Sequence, residues 1–234
     1  MTYSDFEIAF SKPRIGRFLL AAKGDQEKAL RLYKQNIQIS QTLFGLLSIF
    51  EVTLRNKIDQ YYRNYFKDND WLKNNCDEAG IFSHPSFLKF GFETRTKILT
   101  TYTLLGKRYT HDRLVAELSF GFWSYMLAPV QFIAGGQGLH KIYIFRPKGT
   151  TQKLIFNELD EIRSLRNRIA QNEPLIFNKH DNVSTTSTNM VYDYIINQTL
   201  WLGFDPDKLF MGIDEAAKII ISIENEKLSN EFRT

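Results

Sequence analysis

The residues whose types and spacing could do chemistry are Arg166, Asn167 and Gln171, in the stretch Glu158 to Phe177, ELDEIRSLRNRIAQNEPLIF. The pattern predicts one long helix, over roughly residues 152–172, that stops just before Pro174. At 100° per residue, Ile155, Leu159, Ile162, Leu165 and Ile169 fall within a sector of roughly 120°, a core-facing stripe. Arg166 falls inside that stripe. A guanidinium is not buried without acceptors, so Arg166 must have partners there. Two roles fit: a tie between two helices, or a planar fork aimed into a cleft where a phosphate sits.

A second polar group stands on an earlier helical pattern, Phe50 to Ile58, FEVTLRNKI. Glu51 and Arg55 are four apart with the glutamate first, the favourable order for a helical ion pair worth a few tenths of a kcal/mol. The other role for them, with Asn56, is a buried polar group that orients the Arg166 site. Leu54 to Ile58 (LRNKI) echoes Leu165 to Ile169 (LRNRI), although five residues do not make a repeat.

Other chemistries lack their residues. His84, His111, His140 and His180 show no metal-ligand spacing. There is no Cys-x-x-Cys, no Gly-x-Ser-x-Gly, and the Gly135 to Gly138 loop follows no strand, so it is not read as a phosphate cradle. The single cysteine, Cys76, allows no internal disulfide and suits a reducing compartment. A net charge of +4 permits an anionic partner without demanding one.

The elements that must position these residues read as helices throughout. A hydrophobic content of 43% in 234 residues supports a sizeable core and one domain, residues 1–234, whose N-terminal helical part covers roughly 1–67. Residues 3 to 22 read as two short helices broken at Pro13, and Asp25 as the cap of a helix over 26–66 with a bend near Gly45. Trp71 is a candidate anchor in the polar connection 68–85. Further helices are expected over 86–106, from His111 onward, over 190–202 and over 206–228, with fraying at 230–234. Val115 to Trp123 reads as core. Leu118 to Leu139 is uncharged but interrupted by glycines and Pro129, so it reads as core plus loop and not as a membrane span. The N-terminus has no apolar run after a basic start, unlike a secretory leader.

Three stretches, in this order, resemble the Abi-like (abortive infection, AbiD/AbiF-type) proteins of the HEPN superfamily. They are Glu51 to Asn56, similar to "EVALRN"; Glu117 to Trp123, matching "ELSFGFW"; and Arg166-Asn167-x-x-Ala170-Gln171-Asn172-Glu173-Pro174, similar to the family's Arg-Asn-x-x-Ala-His signature and its His/Asn-Glu-Pro continuation. The one departure is Gln171, where the family has histidine.

The resemblance implies an all-α, HEPN-like helical bundle with additional helices. It also implies an endoribonuclease toxin of antiphage defence that uses neither metal nor cofactor. In the family the RNA 2′-hydroxyl attacks the adjacent phosphate. The histidine handles protons, the arginine binds the phosphate, and two protomers share the cleft. Carried over, Arg166 is the phosphate arginine, Asn167 its polar neighbour and Gln171 the residue at the histidine position. Glu51, Arg55, Asn56 and Asn172 are supporting residues. Expected partners are RNA, as substrate or as structured antitoxin, a protein antitoxin and a second copy of the chain, in the cytoplasm and away from membranes. Glutamine cannot exchange a proton at neutral pH, and losing a general acid–base group costs roughly 10²- to 10⁴-fold in rate. The chain is therefore expected to bind like the family and cleave poorly. The rival expectation is a non-catalytic RNA-binding or scaffolding helical protein.

Overall fold

A computed structural model describes residues 2–83 and 92–228. His84, the start of the helix expected from 86, and the fraying expected at 230–234 lie outside the described residues. The fold is all-α. Among the described residues the only β pairing is an isolated antiparallel bridge between Phe177 and Val183. In chain order the helices are α1 (Tyr3–Phe10), α2 (Lys12–Ala21), α3 (Gln26–Phe66), α4 (Trp71–Asn74), α5 (Phe92–Leu105), α6 (His111–Glu117), α7 (Phe120–Tyr125), α8 (Pro129–Ala134), α9 (Gln152–Ala170), α10 (Thr186–Trp201), α11 (Pro206–Leu209) and α12 (Ala216–Leu228).

Several expected boundaries move. The first break falls at Ser11, whose φ of 69° ends α1, while Pro13 sits in the first turn of α2, where its missing N–H is not needed. Gly45 does not bend α3. The helix runs through it, and a Cβ there would stand 3.0 Å from Ile213 Cγ2, so glycine makes room for packing. The stretch 115–123 is two helices, because Ser119 caps α7 by accepting from the Phe122 amide. The last expected helix is also two, broken at Gly212 (φ 76°), and Asp214 accepts from the Ala216 amide to restart the chain as α12. Asp25 caps α3 through the Lys28 amide at 3.0 Å, as its position suggests.

The described chain forms two compact units. The first takes its residues from Met1–Ser48, Ser164–Ile195 and Phe210–Thr234; the second is Ile49–Arg163 with Ile196–Leu209. In the first unit, Ile15, Phe18, Leu32, Ile39, Leu43, Leu165, Ile176 and Phe210 are buried, with Phe18 edge-on to Phe177 at 5.1 Å. In the second, Tyr62 stacks on Trp71 at 4.6 Å, and Phe82, Phe120, Trp123 and Tyr143 are fully buried or nearly so. The Gly135–Gly138 loop belongs to this aromatic core. A Cβ at Gly138 would stand 2.1 Å from the Tyr61 hydroxyl and one at Gly135 2.2 Å from that of Tyr62, so these glycines are required by close packing.

Helix α3 is the one described helix long and apolar enough to cross a membrane, with an 18-residue window of mean hydropathy 1.4. Its apolar residues Ile39, Leu43, Leu46, Leu47, Phe50, Leu54, Ile58 and Tyr62 are nevertheless buried within the protein at helical spacing, as in a core helix.

Candidate functional site

Thr151 starts α9 by accepting from the Leu154 amide, and the helix runs to Ala170, two residues short of the expected end. It closes by a regular device. Asn172 adopts the left-handed region (φ 55°); its amide donates to the Ile169 carbonyl at 2.9 Å and the Glu173 amide to that of Arg168 at 2.8 Å. This is a Schellman motif with asparagine in place of the usual glycine, followed by Pro174, which cannot continue a helix. Gln171 is thereby the C-cap residue.

Four contacts within the first unit hold the segment that follows. Arg14 donates to the Asn172 carbonyl at 2.5 Å, and Arg168 to the Pro174 carbonyl at 2.6 Å. The Leu175 amide donates to Asn36 Oδ1 at 2.7 Å, and its carbonyl accepts from the Thr188 hydroxyl, also at 2.7 Å. Further on, Arg17 pairs with Asp181 at 2.6 Å and lies 4.4 Å over the Phe177 ring. A turn at 178–181, expected from its composition, carries Asp181 with φ 61°.

Along α9, Ile155, Leu159, Ile162 and Leu165 are buried as the stripe predicts, but Ile169 is only half-buried and lines an open cleft. Arg166 is half-buried, and Asn167, Ala170 and Gln171 are exposed. By helical geometry these four lie within a sector of roughly 140°, beside the apolar stripe. Arg166, Asn167, Gln171 and Asn172 are thus brought together on one edge and end of a single helix.

Glu51, Arg55 and Asn56 lie on the part of α3 that belongs to the second unit. Asn56 is exposed; Glu51 and Arg55 are half-buried. Arg55 Nη1 donates to the Ala116 carbonyl in the last turn of α6 at 3.3 Å, a contact to the negative end of a helix that spacing could not anticipate. Arg55 Nε is buried with no hydrogen-bond partner among the described residues.

Sequence reasoning missed two features. The first is the cleft of about 370 Å³ in the first unit, between the side of α3 that carries Asn36, Ser40 and Phe44 and the end of α9 at Ile169 to Glu173. Its α3 wall was legible as an i, i+4, i+8 series, but nothing in the sequence placed it opposite α9.

The second is a buried polar network in the second unit. Asp59 Oδ1 accepts from His111 Nε2 at 2.7 Å and from Trp71 Nε1 at 2.8 Å, and Asp59 Oδ2 from Arg63 Nε at 2.7 Å. Burial acts to raise the Asp59 carboxyl, but the hydrogen bonds from His111 and Trp71 and the charges of His111 and Arg63 outweigh it. They hold the carboxyl below its ordinary value. Cys76 behaves as an inert core residue, its thiol pushed up to about 12 chiefly by burial. Among the described residues no three His, Cys, Asp or Glu side chains gather as metal ligands would.

The chain matches no protein-family model and has no significant match among curated proteins or solved structures.

Proposed function

We propose that the chain is a HEPN-type RNA-binding protein of the Abi-like kind, a metal-independent endoribonuclease toxin of antiphage defence silenced by glutamine at the proton-transfer position. The observation that carries this reading is the placement of Arg166, Asn167, Ala170 and Gln171 on one edge of the last turns of α9, with Gln171 exposed at a pinned C-cap. An arginine beside an apolar stripe suits a phosphate oxygen by charge and by its fork of donors. An exposed half-site of this kind also suits a cleft completed by a second copy, so the proposed active form is a homodimer. The antitoxin, protein or RNA, would act by covering this edge.

Gln171 itself favours a second reading, in which the same surface binds RNA with no catalytic ancestry to restore. Both readings require RNA binding. Titrating fluorescein-labelled single-stranded RNA with the chain at low salt should give saturable binding that weakens as salt rises, with the RNA recovered intact. A chain that binds no RNA at any salt concentration contradicts both.

A further inference from the structure

The cleft beside the end of α9 has the make-up of a base-recognition site. One wall is a ladder on α3, with Asn36, Ser40 and Phe44 one turn apart and Ile37 beside them. Ile169 and Glu173 face it from the end of α9 and the turn that follows. Its volume, about 370 Å³, lies in the range of small-molecule sites, and its surface is mostly apolar, with the polar side chains of Asn36, Ser40, Gln41, Asn172 and Glu173 on its walls.

Two of those polar groups are fixed. Asn36 is 3% exposed, and its Oδ1 is committed to the Leu175 amide. That bond settles the orientation of the amide, so the Asn36 side chain, which lines the cleft, has its Nδ2 group rather than its oxygen to offer a ligand. Ser40 gives its proton to the Asn36 carbonyl at 2.8 Å and keeps its lone pairs free. Opposite stands the Glu173 carboxylate, tethered by Arg168 at 3.4 Å and otherwise open. Phe44 is half-exposed at the cleft, where its ring can stack on a planar ligand.

We infer that this cleft holds one unpaired guanine base of a bound RNA, an inference that rests on the RNA-binding reading. Guanine matches the polarity of both walls. Its N1–H and N2–H₂ form a paired donor edge that a carboxylate accepts bidentately, and its O6 and N7 are acceptors for an amide N–H. Adenine presents no such donor pair. Phe44 supplies the stacking face that single-stranded RNA recognition uses. The cleft is lined by Ala170 and Asn172 of the motif itself, so a base held here leaves its phosphate near the α9 terminus.

The test uses the whole chain and four labelled uridine-rich 12-mers that differ at one central position, G, A, C or U, read by fluorescence anisotropy. The G oligonucleotide should bind roughly tenfold tighter than the others, the worth of one bidentate pair. Glu173→Gln removes the carboxylate at an exposed position, and Asn36→Asp keeps the acceptor for Leu175 while removing the Nδ2 donor. Each should bring the ratio of the G to the all-uridine affinity close to one, whatever it does to the affinity for all four. Equal binding of all four, a preference for another base, or a G preference that survives Glu173→Gln in a folded protein overturns the guanine assignment and leaves RNA binding standing. If no oligonucleotide binds, the RNA-binding reading falls and the base site falls with it.

Discussion

The Leu175 amide donates to Asn36 Oδ1 at 2.7 Å, joining two residues 139 apart in sequence in a bond buried from water. It fixes the chain just beyond the Schellman turn of α9 to the side of α3. The motif terminus is therefore tied to α3, the longest of the described helices, by one side-chain oxygen.

Asn36→Ala should leave the Leu175 amide buried without an acceptor, at a cost of about 1–3 kcal/mol. Urea unfolding monitored by circular dichroism measures it, as a lower midpoint with an unchanged slope. A loss under about 0.5 kcal/mol, within the range of an ordinary surface change, would mean that the bond does not hold the segment.

The Asp59 network makes the second unit sensitive to acid. The folded carboxyl titrates below its ordinary value of 3.8, so the stabilisation is present above that value and is lost as pH falls from it toward the folded pKa. Asp59→Asn should lower stability at neutral pH by about 1.5–3 kcal/mol through the lost charged hydrogen bonds and flatten the acid limb of a stability–pH profile. An unchanged acid limb in the variant would assign the sensitivity to other carboxylates.

Glu158 has the opposite sign. Its side chain is 8% exposed, and burial raises the carboxyl above 4.5, against a hydrogen bond from Gln198 at 3.0 Å that lowers it. Its contribution to stability is therefore present below 4.5 and lost as pH rises through the raised folded value. Glu158→Gln should remove that decline and leave the protein at least as stable as its parent at neutral pH. Thermal melts of both chains across the range check it; a steeper decline in the variant would reverse the sign.

The contrast between legible and hidden features follows from how far apart the partners are in sequence. The existence of α9, the burial of Ile155, Leu159, Ile162 and Leu165 and the stop before Pro174 are consequences of local period and punctuation, whereas the end at Ala170 and the half-burial of Ile169 and Arg166 are not. Ser119 and Gly212 divided expected helices, and Ser11 moved a break expected at Pro13, because capping and positive φ compete with periodicity over only a few residues. The Asp59–His111 bond spans 52 residues and the Leu175–Asn36 bond 139. No period encodes such pairs; they exist because buried polar groups must find partners wherever the packing brings them.

Arg166→Ala tests the phosphate role without depending on proton transfer. RNA affinity should fall by about 1.5–3 kcal/mol, roughly tenfold to a hundredfold, and the salt dependence should become shallower by about one phosphate contact. Fluorescence anisotropy across a salt series on a variant with the parent's circular dichroism reads both. Unchanged affinity would make Arg166 a tie between helices.

The central claim is that proton transfer is what this site lacks. Gln171→His would place an imidazole at the C-cap of α9, where the negative end of the helix favours its protonated form and keeps its pKa near working pH. General acid–base catalysis then restores roughly 10²- to 10⁴-fold in rate, about 3–5 kcal/mol of barrier. The measurement is cleavage of a labelled RNA by the purified parent and the Gln171→His variant, with chelator present, alongside growth of cells expressing each under tight control. The account predicts chelator-resistant cleavage leaving cyclic-phosphate ends, and arrested growth, in the variant alone. A histidine variant that binds RNA yet stays as inactive and harmless as its parent would contradict the silenced-nuclease reading and leave the non-catalytic one in its place.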